Sequence, residues 1–388
     1  MTDRVKNELA PSSTRIWTVL SWIGLGLYAW GVVIAGAVLP DIIVMFGLRP
    51  STTGVLIALP AVGFTVAGLA GGYLSSRMGL RWLLVVSAIG LAIGLGLAAV
   101  APSASIFGVA LLSIGLAGGM FEVGSNGLIA GLYPQAAARE LNRLHIAFGI
   151  GAFLSPLVVA GLLTKGVPWQ ANYAVSAFLV LMLSILLLSQ LTTSKFKVVS
   201  VSISELLGLV RRPTLIFSWV GAFLFVASEL GFSNWVATYL RVEAGFTPQM
   251  ASYGLSVFWL SILAGRYLNT FLPVGLKEKK VISIQAACGA ASLVVVLFAQ
   301  RVSIIFLGIA LVGLFMAGIL PWVLAYANRH NPGYSGLISG FIQIGIGAGM
   351  LLGPGIIGLI YDATNLMIAM YITVLLLFLL AIVYIKAV

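Results

Sequence analysis

Twelve runs of apolar residues, each about 20 long, divide this 388-residue chain, and a helix needs that length to cross the hydrocarbon of a bilayer. They fall near 16–39, 51–74, 82–100, 104–130, 144–163, 170–192, 215–239, 249–271, 281–299, 303–327, 335–360 and 365–386. In hydrocarbon no water satisfies a free N–H or C=O, so such a run folds as a helix with its backbone bonds internal. Composition agrees: 61% of residues are hydrophobic and 8% charged, against about 25% charged in a soluble domain. A water-soluble globule is excluded, and the expected class is an all-α membrane protein with twelve transmembrane helices. The first run exceeds a signal-peptide core and lacks a small-residue cleavage pattern, so it is expected to be retained as a helix.

The net charge of +11 would suit a nucleic-acid partner, but its distribution argues otherwise. With the N-terminus inside, sixteen Lys and Arg fall in cytoplasmic segments and four (Arg49, Lys165, Arg241 and Arg301) in external loops, while Arg266 lies inside a run. This positive-inside bias predicts a multi-pass protein of the cell (inner) membrane with both termini cytoplasmic. Cys288 stands alone, so neither a disulfide framework nor a metal-ligand spacing is expected. No phosphate-cradling loop, nucleophile elbow or metal-ligand cluster is legible, which argues against an enzyme. With no ATP-hydrolysing domain, transport would be passive or ion-coupled.

The longest internal polar stretch, 193–214, separates residues 1–192 from 215–388, each half holding six runs. The halves echo each other. GIGAFLSP at 149–156 and GAGMLLGP at 347–354 set Gly149, Gly151 and Pro156 198 residues before Gly347, Gly349 and Pro354. The same offset pairs Gly115 with Gly313, Pro134 with Pro332 and His145 with Gln343. Small residues recur wherever membrane helices cross closely, but several matches at one offset predict two pseudo-symmetric six-helix halves.

Parallel repeats joined by a central loop are an architecture of secondary transporters. The turn GYLSSRMGLR (72–81) resembles the major facilitator superfamily signature between helices 2 and 3, with Gly72, Leu74, Arg77, Gly79 and Arg81 in place and Ser76 where the pattern has Asp. The resemblance implies the major facilitator fold and a conformational latch at Gly72, Arg77, Gly79 and Arg81. Three further segments, FEVGSNGLIAGLYP (121–134), LNRLHIAFGIGAFLSPLVVAGLL (141–163) and SELGFSNWVATYL (228–240), are similar to the fucose/glucose-galactose branch, whose fourth helix carries Glu-x-x-x-Asn. That likeness implies a monomer importing a monosaccharide, with a proton or sodium ion as coupling ion and no other cofactor. One departure stands out: the branch's Asp eight residues after a Trp-Gly pair is replaced by Val38 after Trp30-Gly31, so two-carboxylate coupling is not supported.

Glu122 and Asn126, four apart in the fourth run, share a helical face. Facing lipid, the carboxylate would cost roughly 2.5–3.5 kcal/mol on insertion scales; facing a cavity, it can take a proton, a cation or sugar hydroxyls. The bland alternative is a hydrogen-bonded pair locking two helices. Glu229 in the seventh run and His145 at the start of the fifth are further coupling or gating candidates, against a tie between the halves and a surface histidine respectively. For substrate, ring faces on Trp30, Trp235, Trp259 and Trp322 would pack on a sugar while Asn234 and Gln343 take hydroxyls; helix packing is the competing role for each Trp. Arg266 is expected to snorkel or pair with a carboxylate, and Asp41 and Asp362 to be solvated at the outer end. Two functions compete: an ion-coupled importer of a monosaccharide or similar polyol, and a proton-driven exporter of drugs or lipophilic metabolites. The Glu122–Asn126 pair favours the polyol.

Overall fold

The computed structural model describes residues 11–133, 137–191, 212–273, 276–331 and 335–386. Most of the central stretch 193–214, together with Pro134 and Pro332, lies outside the described residues.

The first half comprises α1 (Pro11–Ala37), the short α2 (Leu39–Phe46), α3 (Pro50–Met78), α4 (Leu80–Val100), α5 (Ala104–Leu132), α6 (Ala137–Thr164) and α7 (Gln170–Ser189). The second comprises α8 (Pro213–Val242), α9 (Pro248–Asn269), α10 (Glu278–Phe298), α11 (Val302–Met316), α12 (Ile319–His330), α13 (Ser335–Ala363) and α14 (Leu366–Lys386). Together α11 and α12 make one pass, parted at Ala317 and Gly318. Bulky apolar side chains such as Ile93, Phe178 and Leu307 stay exposed, as a lipid-facing surface requires.

The helices are consistent with twelve passes, one of them less apolar than the rest. Among the described residues eleven helical segments are long and apolar enough to cross a membrane, and α9 is not one of them. It is a 22-residue helix of spanning length, but Gln249, Ser252, Ser256, Ser261 and Arg266 make it more polar than its neighbours.

The 198-residue offset reappears in the helix limits. Adding it to the starts of α4, α5 and α6 gives the starts of α10, α11 and α13. Equivalent crossings are equally tight. A Cβ on Gly115 would overlap the Pro60 carbonyl of α3, and one on Gly313 would come 2.5 Å from the Phe258 carbonyl of α9. Pro60 and Phe258 are themselves 198 apart. Small residues at these points let backbones approach within van der Waals contact, which is how helices associate in lipid.

Following the chain, α1 begins on the side where α14 ends; that is the near side, and the opposite face is the far side. The halves meet along α3 against α13 and α6 against α9. At the far side they are drawn together. Arg241 (α8) donates to Asp41 (α2) at 2.7 Å, and Ser51 (α3) to Asp362 (α13) at 2.5 Å. Ser252 (α9) donates to the Ala37 carbonyl at 3.4 Å, and Gly36 of α1 lies so close to Ser233 of α8 that a Cβ would sit 3.0 Å from its carbonyl oxygen. Asp41 and Asp362, expected as solvated helix ends, are instead cross-half ties.

Exposed ion pairs contribute roughly 0.2–1 kcal/mol, so Asp41→Asn should weaken far-side closure by up to about fivefold. In a Cys288→Ser background, a cysteine at Asn234 should then react faster with a membrane-impermeant thiol reagent. Equal labelling rates with and without Asp41→Asn would show that the pair does not hold that end shut.

Candidate functional site

The turn expected as a latch is tight: Gly79 alone joins α3 to α4, at φ +85°, a region that disfavours side chains. Arg77 is exposed over the Tyr73 ring at 5.4 Å. Arg81, expected at the membrane surface, is buried and lies over Trp17 of α1 at 5.1 Å, a cation–π contact within the first half. Gly72 lies in α3, and its surroundings are outside the described residues.

On α5, Gly115 and Gly119 abut α3, Gly118 and Phe121 abut α1, and Gly124 and Gly127 abut α4. At 100° per residue Glu122 and Asn126 fall on the arc between the α3 and α1 directions, opposite α4. Both are half-buried, and Glu122 makes no hydrogen bond to a described residue. The Asn126 carbonyl oxygen is buried without a partner. Tyr28 of α1, whose ring a Cβ on Gly118 would overlap, is within electrostatic reach of Glu122 and packs edge-on against Phe148 of α6 at 6.2 Å.

The second half contributes charge. Glu229 of α8 is buried, with one carboxylate oxygen lacking a partner. Arg266 of α9 is within electrostatic reach of both Glu229 and His145 of α6, yet makes no ion pair with any described residue. Arg266 is half-buried, with its Nε–H buried and unpartnered, and its charge lies near a carboxylate as expected, though outside ion-pair contact among the described residues. His145 and Arg266 lie within electrostatic reach across the halves, and their counterparts Gln343 and Gly68 approach there too: a Cβ on Gly68 would lie 4.0 Å from the Gln343 side chain. His145 pairs with Gln343, and Gly68 with Arg266, at the 198-residue offset.

The tryptophans divide. Trp259 is buried with its N–H unpartnered, and Trp30 is half-buried with the same deficit while its carbonyl accepts from Ser155 at 2.8 Å. Trp235 and Trp322, expected as sugar platforms, are engaged in packing. Trp235 is fully buried, donates to the Pro354 carbonyl at 3.0 Å and packs edge-on against Tyr361. Trp322 donates to Asn269 Oδ1 at 3.1 Å, which also accepts from Gln285 at 2.7 Å. Asn234 is half-buried, its amide donating to the Leu230 carbonyl of its own helix. Sequence reasoning passed over Trp22 and Tyr28; Trp22 also has a buried, unpartnered N–H.

Trp235→Phe removes a buried hydrogen bond between helices, costing about 0.5–1.5 kcal/mol. Thermal unfolding should show that loss while substrate affinity stays at the parent value; a drop in affinity at unchanged stability would return Trp235 to the site.

Two bundles of helices, tied at one side and lined at their junction by polar groups, are the architecture of a membrane transporter. The chain belongs to the Major Facilitator Superfamily, whose sequence profile matches residues 21–277. Among its relatives, the human sodium-dependent glucose transporter 1 is 24% identical and the match covers 88% of this chain and 72% of that protein. The multidrug efflux pump LfrA of Mycolicibacterium smegmatis is 32% identical over a shorter match, 46% of this chain and 37% of the pump. By fold the chain is similar to a bacterial homologue of the human lysosomal transporter Spinster in an inward-facing, unoccupied conformation (TM-score 0.82, 14% identity, 98% and 97% coverage). It is also similar to the Escherichia coli fucose:proton symporter FucP (TM-score 0.66, 19% identity, 97% and 99% coverage).

Proposed function

We propose that this protein is a secondary active transporter that imports a monosaccharide or similar polyol by alternating access, coupled to a proton or sodium ion. The observation that carries the reading is Glu122: a carboxylate deep in a membrane helix, one turn from Asn126, aimed between α1 and α3 and without a hydrogen-bond partner among the described residues. Such a group is costly unless it binds something. An ionised carboxylate attracts a cation; a protonated one donates to a hydroxyl, and Asn126 and Gln343 offer both donors and acceptors to a polyol. The positive-inside charge bias supports a cytoplasmic near side, and on that reading the far-side ties support an inward-facing conformation of an inner-membrane carrier, which we take to act as a monomer.

The partial likeness to an efflux pump favours a second reading, proton-driven export of lipophilic compounds. Thermal shift of the purified protein separates them. Stabilisation by sugars and not by lipophilic cations supports the importer, and the reverse pattern supports the exporter.

A further inference from the structure

The α9 face turned to the first half is a single stripe. Ser252 bonds α1, Leu255 lies against Gly36 of α1, and Leu263 lies against Gly149 of α6. Trp259 and Arg266 continue that stripe, seven residues and about 10 Å of helix apart. The groups they present are donors only. The indole N–H of Trp259 and the Nε–H of Arg266 are both buried without an acceptor, and a guanidinium has no lone pair to offer. Glu229 lies close enough to offset part of the charge but outside ion-pair contact, which leaves the guanidinium fork unoccupied by any described residue. His145 of α6 is also within electrostatic reach of Arg266.

An arginine held this way, half-buried at the junction of the halves with its Nε–H buried, has no contact anion among the described residues. The complement of a planar, donor-only fork is a planar, acceptor-only group, and a carboxylate fits it in two parallel bonds. We infer that Arg266 is a specificity-determining residue that binds an acidic group on the substrate, so the transported polyol is an acidic monosaccharide such as a uronate or aldonate. The inference rests on the sugar-importer reading and adds its charge. In this arrangement Trp259 lies two turns deeper and stacks on the ring, while Glu122 and Asn126 take hydroxyls from the opposite half.

The test is binding to the purified full chain by isothermal titration, with glucuronate, gluconate, glucose and tetraphenylphosphonium as probes. The expected result is tighter binding of the two acids than of glucose. In Arg266→Gln the ratio of acid to glucose affinity should fall at least tenfold. Arg266→Lys keeps the charge but loses the fork, and should fall in between; it also serves if the glutamine variant does not fold. Glucose binding with no preference for the acids, or an acid preference that survives in both variants, would overturn the inference while leaving the importer reading intact. Binding of tetraphenylphosphonium alone would overturn both.

Discussion

Glu122→Gln is expected to give a carrier that still binds and exchanges substrate but no longer accumulates it against a gradient. Glutamine keeps the size and a hydrogen-bonding end and removes the ability to take and release a proton or to attract a sodium ion. Uphill transport needs that exchange on every cycle, so initial accumulation driven by a pH or sodium gradient should fall by two orders of magnitude or more, a barrier change of roughly 3 kcal/mol or above. Exchange of labelled for unlabelled substrate across vesicles should persist at a reduced rate. Asn126→Ala should act differently, weakening binding about tenfold through loss of roughly 1.5 kcal/mol of hydrogen bonding while leaving coupling intact. Full accumulation by Glu122→Gln would move coupling elsewhere and leave Glu122 with no part in it.

The second large effect concerns packing. Gly115→Leu is expected to abolish the folded protein, because even its first carbon would overlap the Pro60 carbonyl in the middle of the α3–α5 crossing. Backbone cannot yield as a side-chain end can, so the cost should exceed the 1–3 kcal/mol typical of an overfilled core. Gly313→Leu, at the equivalent crossing in the other half, should do the same. Gly161→Leu is the control, since nothing lies within 4 Å of a Cβ there. The readout is the yield of monodisperse protein after extraction. Normal yield from Gly115→Leu would mean that α3 and α5 cross farther apart than described.

How far the chain could be read in advance follows from how local each feature is. Helix existence depends on runs of one segment, and the duplication on residues compared at one offset, so both were legible: α6 and α13 each contain the expected proline, at Pro156 and Pro354. The candidate acid was legible as well, because a charge inside an apolar run announces itself. Partners across helices were not. Asp41 and Arg241 are 200 residues apart, and nothing near either says that one will meet the other. Trp235 read as a platform because an indole deep in a span looks the same whether its N–H meets a ligand or the Pro354 carbonyl of another helix. Arg266 was seen, but its orientation is a property of the α9 stripe and of α1 and α6 opposite. One signal was available: Gly68 and Gln343 are the counterparts of Arg266 and His145, and a pairing of one couple implies a pairing of the other.

The polarity of α9 bears on how the protein is made. A nascent segment leaves the translocon for lipid according to its own apolarity, and the polar residues spread along this helix, with an arginine in its last turn, weigh against release. Among the described passes, α9 is the one below the apolarity that its neighbours reach. It therefore depends on α8, synthesised just before it, for an escort, with the Phe232–Phe258 ring contact at 5.1 Å among the first handholds available. The residue that equips the finished carrier to hold a ligand thus makes its helix the slowest passenger during biogenesis, and substitutions on the facing side of α8 should surface first as degraded chains and only then as altered transport.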